Sequence, residues 1–341
     1  MNATIKLEDE KHFPVLLEKL ISIISPLYGG TFIDCTFGQG GYSKEILENK
    51  NNEVIAIDRD SDTYQAAKKL EKKYNKRFYF ENIKFSEINN LKKKINNLKG
   101  IIFDLGYSTT QIKNLNKGLS FLSKGKLNMK MGFNDFSASE VVNELEQHNL
   151  SKIFRVFGEE KKSKIISKRI IELRKNNEIK TEDLVKIIDR VKKNKFSKIH
   201  NSTKVFQALR IFVNKEISEL MYGLINNFKI LPIGGIIVVI TFHSLEDKIV
   251  KYFFRNYSEI INTSRYLPSQ LKKEILFKLF KKKPILPDLN EIKKNPSSRS
   301  AKLRYGIKIN ESSDFSEFKK KFEYLLNVEN LGKKLWNKFY Q

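Results

Sequence analysis

Three aspartates stand where a chain could handle a nucleoside. Asp34 opens the run Asp34-Cys35-Thr36-Phe37-Gly38-Gln39-Gly40-Gly41-Tyr42-Ser43, Asp58 follows 24 positions later, and Asp104 opens Asp104-Leu105-Gly106-Tyr107-Ser108-Thr109-Thr110-Gln111. Glycines between a strand and a helix let backbone approach a ligand closely and leave amides facing it. An ordinary turn uses the same residues, so the acid that comes next is more informative. At the end of a second strand, Asp58 can accept both ribose hydroxyls of a nucleoside cofactor. A strand-end aspartate also serves as a helix cap, and it is the pairing with the glycine turn that favours nucleoside binding. The third glycine of a dinucleotide fingerprint would fall at Ser43, which argues against a nicotinamide dehydrogenase. His243, in His243-Ser244-Leu245-Glu246-Asp247, is more often structural than catalytic in such a setting, and Ser244 with Asp247 is expected to cap the next helix.

These residues need strands to carry them. Thr31 to Cys35, Val54 to Ile57, Phe78 to Phe80, Gly100 to Phe103 and Ile236 to Phe242 read as continuous apolar runs, the pattern of buried parallel strands. Helical patterns separate the first four, so an open α/β sheet is expected, with Asp34, Asp58, Asp104 and His243 converging beyond its carboxyl ends. The alternation stops after Gln111. A polar loop from Asn114 to Phe136 leads to a Ser137/Glu140 capping box and then to helical patterns over Ile153 to Leu173 and Leu184 to Val191. Residues 113–201 thus read as an all-helical insertion. One long helix is predicted after it, with Val205, Phe206, Leu209, Phe212, Val213, Ile217 and Leu220 on one stripe. Ala301 to Ile309 is a candidate final strand.

Composition narrows the partners. The 341 residues carry a formal net charge of +25, which predicts attraction to a polyanion. Lys and Asn are abundant throughout, as compositional bias would also produce, yet the excess is concentrated. Lys152 to Lys204 holds 17 Lys and Arg against 7 Asp and Glu, and Arg265 to Arg304 holds 12 against 3. The longest apolar run, Gly235 to Phe242, is strand-sized, and the acidic first ten residues do not read as a signal peptide. One cysteine, Cys35, excludes an internal disulfide and fits a reducing cytoplasm. The four histidines show no metal-ligand spacing, so no metal is expected.

Seven segments, in order, carry a resemblance. They are His12-Phe13-Pro14-Val15-Leu16-Leu17, the Thr36 to Gly41 turn, Ala56-Ile57-Asp58-Arg59-Asp60, Asp104-Leu105-Gly106, Phe206-Gln207-Ala208-Leu209-Arg210-Ile211 with Val213-Asn214, Phe242 to Asp247, and Asn295-Pro296 with Ser298 to Arg304. Together they resemble the RsmH (MraW) family over nearly the whole chain. The resemblance implies a class I S-adenosylmethionine-dependent methyltransferase sheet, Rossmann-like, with an all-helical domain inserted after the fourth strand. Residues 1–112 and 202–341 would form the methyltransferase domain, and residues 113–201 the substrate-binding insertion. It implies methylation of N4 of a cytidine in the decoding centre of small-subunit (16S) rRNA, with the small ribosomal subunit as partner, no membrane, and a homodimer left open.

Position by position, the resemblance puts the methionine end of the cofactor at Gly40, Gly41 and Tyr42. The ribose falls on Asp58, the adenine region near Phe85, and further contacts on Asp104 and Gln111. Asp104 is the candidate catalytic residue, as an acceptor for the target amine. The chain departs from the family at three places. Tyr42 stands where His is usual. Leu127-Asn128-Met129-Lys130-Met131-Gly132 replaces Leu-Asp-Met-Arg-Met-Asp, and Asn201-Ser202-Thr203-Lys204 replaces Pro-Ala-Thr-Arg. A non-catalytic ribosome-assembly factor that kept the fold is the alternative, resting on the altered loop alone.

Overall fold

The computed structural model describes residues 14–25, 28–107, 111–112, 114–123, 125–192, 200–258 and 274–332. His12-Phe13, Ser108 to Thr110 and Lys113 lie outside the described residues, as do 193–199 and 259–273, which hold parts of both basic segments.

Among the described residues seven strands form one sheet: β1 (Gly30–Asp34), β2 (Asn52–Ile57), β3 (Phe78–Glu81), β4 (Leu98–Asp104), β5 (Ile236–Thr241), β6 (Phe277–Lys278) and β7 (Lys302–Lys308). Their order is β3-β2-β1-β4-β5-β7-β6. The first five are parallel, and β7 runs antiparallel between β5 and β6. Along the parallel strands successive side chains enter opposite cores. Ile33, Ile55, Ile101 and Ile237 belong to one apolar cluster, and Phe32, Val54, Ile102 and Val238 to the other. Both faces are covered by helices, which is why these strands read as unbroken apolar runs. The sheet order reverses between β1 and β4, so a crevice opens beyond their carboxyl ends.

Helices α1 (Leu17–Ile24), α2 (Gly41–Leu47) and α3 (Tyr64–Tyr74) cover one face through Leu20, Ile46 and Leu70. The chain between β4 and β5 runs through α4 (Ala138–Glu144), α5 (Gln147–Phe157), α6 (Ser163–Arg174), α7 (Thr181–Lys192), α8 (Thr203–Asn214) and α9 (Glu216–Ile230). The capping box at the head of α4 is present: Ser137 N donates to Glu140 Oε2, and Ser137 Oγ accepts from Glu140 N. On α5, Leu150, Ile153, Phe154 and Phe157 form one buried stripe. They share a cluster with Ile33 and Phe103. The core therefore continues from the sheet into these helices, by way of Val205 and Leu209 of α8. The chain then passes through α10 (Ser244–Asn256) and α11 (Leu289–Lys294) to the closing helix α12 (Ser316–Glu329).

The single long helix expected from Val205 to Leu220 is two helices. Lys215 takes φ 50°, ends α8 and starts α9. The apolar stripe crosses this break because both helices face the same core. What stabilises the second start is remote in sequence: Glu329, buried at the end of α12, accepts from the Ile217 and Ser218 amides at 2.7 and 3.0 Å. A carboxylate at a helix N-terminus answers amides that have no intrahelical partner. Glu329→Ala leaves two such amides unpartnered and is expected to cost about 2 kcal/mol, within the range for buried unsatisfied donors. Urea unfolding measures this, and an unchanged midpoint would show that water serves those amides equally well.

Candidate active site

The crevice is built from the residues that end β1, β2 and β4. Asp34 is fully buried and accepts from Ser43 Oγ at 2.7 Å and from the Thr36 amide at 3.3 Å, which closes the turn onto α2. Asp58 uses one oxygen for the Gly38 amide and the other for the Asp60 amide, both at 2.8 Å. Asp34 and Asp58 are both pushed up to about 6, in each case chiefly by burial. Gly38 takes φ +54°, and a Cβ placed there would meet no atom closer than 3.9 Å, so the turn faces open space at this point. At Gly40 a Cβ would run into the Phe37 ring at 2.6 Å, and at Gly41 into Pro14 at 2.1 Å. Those two glycines are required by the protein's own packing.

Asp104 joins the group through two contacts. Its amide donates to Thr36 Oγ1 at 2.7 Å, and its Oδ2 lies 3.2 Å from the Tyr42 hydroxyl. That hydroxyl also lies 2.7 Å from the Val15 carbonyl, so its single proton serves one of these two acceptors at a time. Asp104 Oδ1 is buried and has no hydrogen-bond partner among the described residues. Burial first, then the nearby Asp34 and Glu246 carboxylates, push Asp104 up to about 8, against the lowering effect of Tyr42. A carboxyl with a buried oxygen that no described residue answers favours a cationic or hydrogen-donating ligand.

The other expected site residues are placed as follows. Gln111 is buried and donates through Nε2 to Asp60 Oδ2, which also pairs with Lys117. Phe85 is half-buried, edge-on to Phe103 with ring centroids 5.3 Å apart, and it fills the room left by Gly223 of α9. Asn82 donates to the Asp58 carbonyl at 2.7 Å, a neighbour that the β3 pattern does not reveal. The Tyr42 ring is buried among the α1 and α2 side chains, with only its hydroxyl turned to Asp104.

His243 follows β5 and is the N-cap of α10. Its Nδ1 accepts from the Glu246 amide, and Glu246 returns a bond to the His243 amide. This corrects the expectation that Ser244 and Asp247 form the cap. Asp247 instead holds Arg304 at 2.7 Å and Lys302 at 3.2 Å. Those two cations of the basic Arg265 to Arg304 stretch are thus engaged within the protein.

The altered loop at Leu127 to Gly132 is tightly organised. Leu127, Met129 and Met131 are core residues. Asn214 Nδ2 donates to the Met129 carbonyl, and its Oδ1 accepts from the Met131 amide, both at 2.8 Å. Gly132 presses on the end of β2, where a Cβ would sit 2.0 Å from the Arg59 carbonyl oxygen. The Arg59 guanidinium is taken up by the Asn214 carbonyl and Asn134 Oδ1.

A feature that local spacing could not reveal involves Tyr107, three residues past Asp104. Arg210 of α8 pairs through two nitrogens with Glu216 of α9, at 2.8 and 2.9 Å, and its guanidinium lies 4.6 Å from the centre of the Tyr107 ring.

A parallel sheet in this order with an antiparallel β7, carrying acids on β1, β2 and β4 at the crevice, is the class I S-adenosylmethionine-dependent methyltransferase fold. The model of the MraW methylase family matches residues 9–309. The ribosomal RNA small subunit methyltransferase H of Orientia tsutsugamushi (strain Ikeda) is 41% identical over 309 residues, 88% of this chain and 99% of the relative. The same-named protein of Ehrlichia canis (strain Jake) is 40% identical over 304 residues, 87% of this chain and all of the relative. That of Maricaulis maris (strain MCS10) is 39% identical over 312 residues, covering 90% and 93%. The chain belongs to the MraW methylase family.

Proposed function

We propose that this chain transfers a methyl group from S-adenosylmethionine to N4 of a cytidine in the decoding centre of 16S rRNA. The observation that carries the reading is Asp104: a half-buried carboxyl whose buried Oδ1 has no partner among the described residues, at the end of β4, beside a glycine turn closed by Asp58. The cofactor supplies an electrophilic methyl carbon on a sulfonium. Asp58 is positioned to accept the ribose hydroxyls through lone pairs its two amide partners leave unused. Gly40, Gly41 and Tyr42 border the methionine end, Phe85 and Gln111 the remainder. Asp104 accepts a hydrogen bond from the cytosine amine and stabilises the positive charge that grows on that nitrogen. The amine's lone pair is delocalised into the ring, so orientation is the main task, and the proton leaves readily after transfer. The target base has to be splayed out of its stack to reach this crevice. The cytoplasm and the small ribosomal subunit are the corresponding location and partner. No helix among the described residues is long and apolar enough to cross a membrane.

Purified protein given methyl-labelled cofactor and 16S rRNA or small subunits tests this. Label in N4-methylcytidine is expected, and label in another nucleoside alone would overturn the target assignment.

Residues 113–201 are the proposed RNA-binding insertion. Lys161, in the turn before α6, and Lys164 and Lys168 on that helix are exposed, whereas Lys162 donates to the Val191 carbonyl and Lys192 pairs with Glu160. Charge reversal at Lys161, Lys164 and Lys168 should weaken RNA binding and lower the slope of log affinity against log salt by about 2, with cofactor affinity unchanged. An unaltered slope would make these lysines plain solvated surface.

A further inference from the structure

Tyr107 is an aromatic side chain that the reading so far leaves without a role. It lies three residues past Asp104, and 45% of its surface is exposed. Its position is not set by chance contact with solvent. The Arg210 guanidinium lies 4.6 Å from its ring centroid, and its Nε and Nη2 are held by the Glu216 carboxylate. Arg210 is itself buried. A planar cation locked against one side of a tyrosine fixes the ring and leaves its remaining surface to a second planar group. The turn that carries the ring is also fixed. Leu105 donates to the Ile240 carbonyl of β5 at 3.0 Å, and Gly106 takes φ +105° against the Phe242 ring. The ring is thus mounted on a rigid strand end, within a few residues of the carboxyl proposed to meet the target amine.

We infer that Tyr107 is the stacking platform for the flipped target cytosine, held in place by the Arg210–Glu216 pair. The inference rests on the RNA methylation proposed above. A base removed from its helix loses its stacking partners, and an aromatic face restores one at a scale of about 5- to 150-fold in affinity per base. The phenolic hydroxyl is not needed for this, whereas the flat ring is. Stacking fixes the plane of the pyrimidine, and the plane decides whether N4 points along the line of methyl transfer.

The test uses the full chain and an RNA hairpin bearing the target cytidine, with S-adenosylmethionine saturating. Tyr107→Phe should keep kcat/KM for RNA within about 2-fold of the parent. Tyr107→Leu, which keeps apolar bulk and loses the flat face, should lower it roughly 10- to 100-fold with the cofactor Kd unchanged. A fluorescent cytosine analogue at the target position should stay quenched when bound to the parent and brighten on Tyr107→Leu, a signature that a merely structural role would not give. If the parent methylates the hairpin and Tyr107→Leu matches it in rate and quenching, the platform is wrong and the function stands. If the parent leaves every cytidine of the hairpin and of 16S rRNA unmethylated, both readings fall.

Discussion

Asp104→Asn should lower kcat by about two orders of magnitude and at the same time make the cofactor-free protein more stable at pH 8. The catalytic half follows from charge. Asparagine keeps the shape and one acceptor, but it cannot stabilise positive charge developing on the amine, and a single positioned electrostatic group is typically worth about 100-fold or more. The stability half follows from burial. Burial pushes Asp104 up to about 8, against an ordinary value near 3.8. The folded chain therefore holds one more proton at this site than the unfolded chain between those values. Stability associated with that proton is fully present below the unfolded value and is lost as pH rises through about 8. Asp34, Asp58 and Glu329 add slopes of the same sign at lower pH, because they are raised to about 6, 6 and 7. From pH 7 to 8.5 the decline should belong mainly to Asp104 and should flatten in Asp104→Asn. Thermal unfolding across that window checks it. Cofactor affinity of the parent should rise over the same range, since the cationic ligand meets an ionised carboxylate. Single-turnover rates equal to the parent at saturating cofactor would reduce Asp104 to a cofactor ligand.

Asp58→Ala should weaken S-adenosylmethionine binding by about 1.5–3 kcal/mol, the scale of hydrogen bonds to a charged group, or roughly 10- to 150-fold in Kd. Asp58 does more than wait for the ribose. It holds the Gly38 and Asp60 amides at 2.8 Å, so alanine also loosens the turn. Asp58→Asn retains one acceptor oxygen and should lose less. Because burial raises Asp58 to about 6, affinity in the parent should fall as pH drops below that value. Calorimetry on folded variants measures both effects, and parental affinity in Asp58→Ala would remove this residue from the site.

Much of this was legible in the chain because of how the core is made. Strands buried on both faces read as unbroken apolar runs, so β1 to β5 stood out, and the three acids at their ends followed. β7 could be read only as a candidate, since buried and half-buried positions are mixed along it, and the two residues of β6 are too short to leave a pattern. The break at Lys215 was invisible because the apolar stripe continues through it, while its cap, Glu329, comes from more than a hundred residues away. His243 has the structural part expected of it, but as the cap itself in place of Ser244: local rules name the residue types that cap helices, and imidazole Nδ1 is an unusual one. The Tyr107–Arg210–Glu216 cluster joins two distant segments that have no shared periodicity. The Gly40 and Gly41 positions were legible as glycine, though the reason lies in Phe37 and Pro14.

The central claim is cytosine-N4 methylation of 16S rRNA, and nucleoside mapping of that RNA tests it most directly. Cells that carry this chain should show N4-methylated cytidine in the decoding centre. Cells lacking it should show the same cytidine without the methyl group at N4, and cells carrying Asp104→Asn in its place should show that cytidine less fully methylated. An unchanged modification at that position in cells lacking the chain would contradict the account.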